Sequence, residues 1–246
     1  MINLMKLQFT RTTKHKAVWV YLVAMTLILI SNSLSLQNPD DVFHHIYSGG
    51  KFPISALQSQ ASMVAPLFFA LVAAFSVNGE KTSGVFKQPL LSGITKTQLL
   101  NCKLLNIVLV MFASVLLMGI ASFVIGFAAW GSSIFDNLLL CFLHIGLTMI
   151  PLTVSCMGFI LLALYTPNAA VTMCAAFFIL LADNLVSQFF VSVVSNFSYM
   201  YYAYAYSGFN AQSIEMWMIS KGLTISLITG VVFYFLAYRR IYRMPL

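Results

Sequence analysis

The residues that could do chemistry in this chain are few. Asp183 is the one acidic side chain set within an apolar run long enough to span a membrane. A carboxylate there is costly, and it marks either a transport path or a contact satisfied by polar neighbours. Asn184, Ser187 and Gln188 lie close by and could supply that contact, so both readings stand. His144 also lies in an apolar run, but no Cys, Asp or Glu sits at helical spacing from it, which favours a core histidine over a metal ligand. His44-His45 with Asp40 and Asp41 has ligand-type residues in the setting of an ordinary polar loop. The four cysteines, Cys102, Cys141, Cys156 and Cys174, form no CxxC or Cys/His pattern, so neither a disulfide nor a metal site is expected. The sole Gly-Lys, Gly50-Lys51, is followed by Phe52 where a phosphate-cradling loop needs Ser or Thr. The chain is therefore expected to bind no ATP, metal or other cofactor of its own.

Two polar or aromatic stretches stand out. The first is NGEKTSGVFKQPLLSGITKTQLLNCK, residues 78 to 103. The second is SNFSYMYYAYAYSGFN, where Tyr199, Tyr201, Tyr202, Tyr204 and Tyr206 fall close together. Tyrosines gather at membrane interfaces because one end is apolar and the other wet. This segment reads either as an interfacial or re-entrant belt or as an outer gate that touches substrate. Tyr202, Tyr204 and Tyr206 alternate rather than following a helical stripe, so no face is assigned.

The elements that must position these residues follow from composition. The 246 residues are 60% hydrophobic and 8% charged, with mean hydropathy +0.90. Soluble domains carry about 25% charged residues. A spanning helix needs roughly 20 mostly apolar residues. Six runs qualify: about 17–36, 57–78, 104–130, 136–163, 168–190 and 220–238. The expected fold is all-α, a single polytopic membrane domain over 1–246, with an interfacial N-terminal helix at 1–16 and an outer aromatic segment at 191–219. Pro151 is expected to kink the fourth span, and Pro167 to mark a tight turn before the fifth. The basic n-region and Ser33-x-Ser35 imitate a signal peptide, but the apolar run is long enough to span, so a retained helix is expected.

Orientation follows from Lys and Arg, which favour the cytoplasmic side. With both termini inside, Lys6, Arg11, Lys14, Lys16, Lys81, Lys87, Lys96, Lys103, Arg239, Arg240 and Arg243 are cytoplasmic. Only Lys51 and Lys221 of the 13 basic residues are then left outside. The net charge of +7 is thus a topology signal, with no nucleic-acid partner implied.

Residues 79–103 then form the long cytoplasmic loop between spans two and three. Gly84 permits a turn. Val85, Phe86, Leu90 and Leu91 are apolar residues set between Lys87 and Lys96, with Pro89 suited to a turn. They lie on the membrane interface or present an apolar knob to a partner; a merely solvated basic loop remains the alternative. Thr95-x-x-Gln98 is a capping-box pattern that opens a helix running into the third span.

The pattern Glu80-Lys81-x-x-Gly84-Val-Phe-Lys87-x-Pro89-Leu-Leu91, continuing to Lys103, resembles a signature of ABC transporter permeases of the type-2 exporter class. The resemblance implies that this loop is a coupling helix seated in a cleft of a separate ATP-binding cassette subunit, which holds ATP and Mg. Glu80, Lys81, Gly84, Val85, Phe86, Lys87, Pro89, Leu90 and Leu91 would form the docking elbow. Glu80 would fix the elbow by pairing with Lys81, Lys87 or a partner arginine. A second permease chain, as homodimer or heterodimer, and membrane lipid are the other implied partners. Lys6-Leu7-Gln8-Phe9-x-Arg11 looks like the interfacial helix that precedes the first span in such permeases, with Gln8 where members often carry Glu. Small six-span members include those of lantibiotic immunity and bacitracin resistance in bacterial cell membranes. The resemblance therefore implies export of an amphipathic substrate, such as an antimicrobial or other peptide, a lipid or a drug. An ATP-independent carrier or channel is the alternative.

Overall fold

The computed structural model describes residues 8–10, 12, 14, 16–36, 49–84, 91, 93–207 and 216–244. Among these, all regular structure is helical. We number the α-helices α1 (Lys16–Leu36), α2 (Phe52–Ser59), α3 (Ala65–Thr82), α4 (Lys96–Trp130), α5 (Leu138–Tyr165), α6 (Ala169–Phe189), α7 (Val191–Phe197), α8 (Tyr199–Ser207) and α9 (Met216–Arg243). Each of the six apolar runs falls on helix. Four described helices are long and apolar enough to cross a membrane: Lys96–Phe135, Leu138–Tyr165, Ala169–Ser187 and Met216–Arg243; Val18–Leu34 is a shorter apolar helix.

The second run starts earlier than its hydropathy suggests. A 3-10 turn at Gly49–Lys51 leads into α2, and a π-helical segment, Gln60–Val64, joins α2 to α3. Lys51 and the residues just after it, expected in an outer loop, are thus helical. Pro53 occupies the first turn of α2, where its missing N–H costs nothing. Phe52, Ile54, Ala56 and Leu57 are buried, so packing extends the helix beyond the apolar run.

The helix α5 is central and packs on α3, α8 and α9, while α6 lies on α3, and α1 and α2 lie on α4. Buried alanines on α3 (Ala70, Ala73 and Ala74) let neighbouring backbones approach, as small residues do in membrane bundles. Tyr21 of α1 stacks on Phe68 of α3 with ring centroids 3.8 Å apart. Gly126 of α4 has the same role: a Cβ there would lie 2.5 Å from Ile134 Cδ1 and 3.1 Å from Phe52. The helix ends follow local chemistry. Thr95 Oγ1 accepts from the Gln98 N–H at 3.2 Å, and Gln98 Oε1 accepts from the Thr95 N–H at 3.0 Å, so the capping box opens α4. Asn168 Oδ1 accepts from the Val171 N–H at 2.9 Å and opens α6 after the bend at Pro167. Pro151 sits inside α5, which continues through it. Large apolar side chains on α4, α6 and α9, such as Phe112, Phe178 and Phe235, face outward, as lipid-facing surfaces do.

Candidate functional site

The last turn of α3 and the first turns of α4, which border the 79–103 loop, meet the end of α5, the start of α6 and the end of α9. Glu80 leaves α3 beside Lys103 of α4. Lys103 Nζ donates to Glu80 Oε2 at 2.7 Å and to the Ser76 carbonyl at 2.6 Å. The pair is withdrawn from solvent, with side-chain exposures of 1% for Lys103 and 9% for Glu80. Lys103 is thus a partner of Glu80 that the sequence pattern did not suggest, while Lys81 bonds elsewhere and Lys87 lies outside the described residues. The pairing also removes Lys103 from the set of solvated basic charges. The reason is geometric: the two helices that carry the loop run side by side, so residues far apart in sequence face one another.

Lys81 points elsewhere. Its Nζ donates to the carbonyls of Ala163 at 2.9 Å and Leu164 at 3.0 Å. These carbonyls belong to the last turn of α5, where helix acceptors lack intrahelical donors and a cation is favoured. Burial, and then repulsion from Arg240, lower the Lys81 pKa from its ordinary value to about 8. Arg240 in turn lies 4.7 Å over the ring of Tyr165. Lys96 does for α9 what Lys81 does for α5, donating to the carbonyls of Tyr242 at 3.2 Å and Met244 at 3.1 Å. Thr97 meets the Tyr242 hydroxyl at 3.2 Å, and the Tyr234 hydroxyl donates to Asn101 at 2.9 Å. The buried Asn78 amide donates to Thr166 at 3.2 Å and also to Thr172, and the two threonine hydroxyls bond each other. Polar bonds thus tie both ends of the loop to three other helices.

Within the loop, Gly84 has φ +70. It follows the C-cap of α3, a position that glycine fills at no steric cost, and Leu91 is 86% exposed. Val85, Phe86, Lys87, Pro89 and Leu90 lie outside the described residues. Gln8 of the expected interfacial helix is buried, and Thr12 accepts from the Asn106 amide of α4 at 3.0 Å.

A second polar site lies at the opposite end of α6. Asp183 is half-buried, and its Oδ1 accepts from the Ser198 hydroxyl at 2.8 Å. The expected neighbours Asn184 and Ser187 are not its donors; Ser187 Oγ donates instead to the Asn184 carbonyl at 2.8 Å. Ser198 also accepts from the Tyr201 N–H at 3.3 Å, so it caps α8 while holding the carboxylate. The tyrosines are helical, not alternating. Tyr202 and Tyr206, one turn apart, are buried on one face of α8, and Tyr204 is 51% exposed. The Tyr206 hydroxyl donates to the Ile219 carbonyl at 3.0 Å, and its own carbonyl accepts from His144 Nδ1. A Cβ on Gly222 of α9 would lie 2.0 Å from the Tyr206 hydroxyl oxygen, so α8 and α9 are in close contact here. Tyr199 meets Phe233 edge-on at 5.9 Å. Tyr202 and Tyr206 are therefore core residues joining α5, α8 and α9. Tyr201 and Tyr204 are left to line an open cleft of about 340 Å³ with Asp183.

Among the described residues, no three His, Cys, Asp or Glu side chains gather to hold a metal. His144 is fully buried, with its Nδ1 bonded to the Tyr206 carbonyl.

Residues 4–183 match the family model described as ABC-2 family transporter protein, well over half of the chain. The chain belongs to the ABC-2 transporter family. It is thus an ABC-2 type permease, a membrane transport component whose family associates with an ATP-binding cassette subunit. The matched residues include the elbow and Asp183, while the tyrosine segment and α9 lie beyond them. No curated protein matches the permease.

The sequence reading missed the Glu80–Lys103 pair and the Asn78–Thr166–Thr172 cluster. The available signal was two opposite charges flanking one loop at the boundaries of adjacent spans. For Asn78 it was an amide at a span end, level with the threonines on either side of Pro167.

Proposed function

We propose that the permease is the membrane subunit of an ATP-driven exporter with six spans and both termini in the cytoplasm. The elbow is then cytoplasmic. Residues 79–103 dock on the ATP-binding subunit through Gly84, Val85, Phe86, Lys87, Pro89, Leu90 and Leu91. Glu80 and Lys81 serve as internal anchors of the docked loop. ATP and Mg bind the partner subunit, and a second permease chain completes the transporter. The substrate is amphipathic, an antimicrobial or other peptide, with lipid or drug as the further members of that class.

The observation that carries this reading is the buried Glu80–Lys103 pair between the helices that hold the loop. Closure of two ATP-binding subunits displaces a docked loop. A displacement at an apolar seat is transmitted with little give because packed interfaces have low compressibility. The elbow passes it to α3 and α4. Lys81 passes it to α5 and Lys96 to α9. The five helices whose ends meet there tilt as a set, changing access between the two faces of the membrane.

Two expected outcomes follow at the level of topology and energy source. Cysteines introduced at the exposed Ser83 and Asp136, in a chain with its own cysteines replaced, should label from opposite sides of the membrane. Ser83→Cys should react from the cytoplasmic side. Labelling of Ser83→Cys from outside intact cells would invert the orientation. Inside-out vesicles holding the permease and its ATPase subunit should accumulate a labelled amphipathic antimicrobial peptide with ATP and not with a non-hydrolysable analogue. Uptake that ignores ATP would assign the chain to carriers or channels.

A further inference from the structure

The cleft beside Asp183 has the composition of a site for a cation. Its volume of about 340 Å³ falls within the roughly 300–1,000 Å³ of small-molecule pockets. One part of its wall is polar, formed by Asp183, Asn184 and Ser187 of α6. Another is aromatic, formed by Tyr201 and Tyr204 of α8. Leu180, Val191 and Met200 supply apolar surface, and Ala61 of the π-helical segment closes it. π-segments interrupt regular helix and are frequent at functional sites. This one brings a small side chain to the cleft where a larger one would fill it.

The carboxylate is held but not neutralised. Ser198, fixed as the cap of α8, donates to Asp183. No basic side chain among the described residues forms an ion pair with Asp183. Of the two basic residues on the outer side, Lys51 and Lys221, the latter donates to Asn196 Oδ1 at 2.6 Å and sits 5.5 Å over the ring of Trp217. A half-buried carboxylate beside tyrosine rings and apolar walls is the arrangement that attracts a quaternary or hydrophobic cation, through charge and through the ring faces.

We infer that this cleft binds the cationic head of an amphipathic molecule, with Asp183 as its counter-charge and Tyr201 and Tyr204 as its aromatic wall. The inference rests on the reading of the permease as an exporter of amphipathic substrates, and it narrows that class to cations. The apolar remainder of such a molecule would extend along Leu180, Val191 and Met200.

Tetraphenylphosphonium and tetraphenylborate test it, because they share shape and differ in the sign of charge. The full-length permease is placed in phosphatidylglycerol nanodiscs, and binding to empty discs is subtracted. Tetraphenylphosphonium should bind saturably and tetraphenylborate should not. Asp183→Asn, which preserves an acceptor for Ser198, should weaken cation binding about tenfold or more. Asp183→Glu should retain most of it. Tyr204→Ala, a change at an exposed ring, should weaken it a few-fold. Adding phosphatidylethanolamine separates two sources of the same chemistry: competition assigns the site to a lipid ammonium, and no competition to a free amphipathic cation. Equal binding of both ions, or cation binding unchanged in Asp183→Asn, would overturn the inference. The assay uses no ATPase subunit, so it fails independently of the exporter reading. Saturable cation binding without ATP-driven vesicle uptake would retain the site and overturn the exporter.

Discussion

Lys103→Met is expected to be the most damaging single substitution in the elbow. Lys103 is 1% exposed and its Nζ contacts both Glu80 and the Ser76 carbonyl. Removing the ammonium takes the Lys103 charge away from the buried Glu80 carboxylate. Breaking a buried pair from one side costs about 3–5 kcal/mol. In a chain of this length that is a fall in apparent melting temperature on the order of 10 °C, with a matching loss of folded protein from the membrane. Replacing both partners should cost far less, because no uncompensated charge then remains. Glu80→Gln with Lys103→Met should thus recover most of the stability lost by Lys103→Met alone. Fluorescence-detected size-exclusion melts of the two variants decide this. A Lys103→Met protein as stable as the wild type would mean that the pair does not hold the elbow.

Phe86→Asp is expected to abolish retention of the ATP-binding subunit while leaving the permease folded. Aromatic anchors dominate interfaces, and truncating one costs about 2 kcal/mol or more, near thirtyfold in affinity. A carboxylate forced into an apolar seat adds a desolvation cost. The permease itself should be little disturbed, because the described residues that anchor the elbow, Glu80, Lys81, Lys96 and Lys103, bond to one another or to helix ends. An unchanged melting temperature together with a lost partner would separate docking from stability. A destabilised Phe86→Asp chain would instead place Phe86 within the core.

These two positions also show what could be read from the chain alone. The helices were legible because apolar runs of spanning length allow little else. The start of α4 was legible because a capping box is a local pattern, closed within Thr95 to Gln98. The partner of Glu80 was not, since Lys81 and Lys87 are nearer in sequence and only the side-by-side packing of α3 and α4 brings in Lys103. Asp183 is similar: Asn184 and Ser187 are close by, yet Ser198 reaches it because α7, packed on α6, carries the chain back toward the carboxylate. The tyrosines misled through their spacing. An alternation at Tyr202, Tyr204 and Tyr206 suggests no helical stripe, but Tyr202 and Tyr206 are one turn apart and only the burial of α8 against Gly222 shows which face counts. Tertiary packing decided each of these, and a single sequence records it weakly.

The central claim is that residues 79–103 couple this permease to an ATPase. The most direct measurement is purification of the tagged wild-type chain from its native membrane in a gentle detergent, with ATPase activity assayed on the eluate and Phe86→Asp run alongside. An ATP-binding cassette subunit is expected to co-elute with activity, and both are expected to be lost from the Phe86→Asp eluate. A stable wild-type chain that elutes alone and without ATPase activity would contradict it, leaving the loop a solvated basic segment and the chain without a motor.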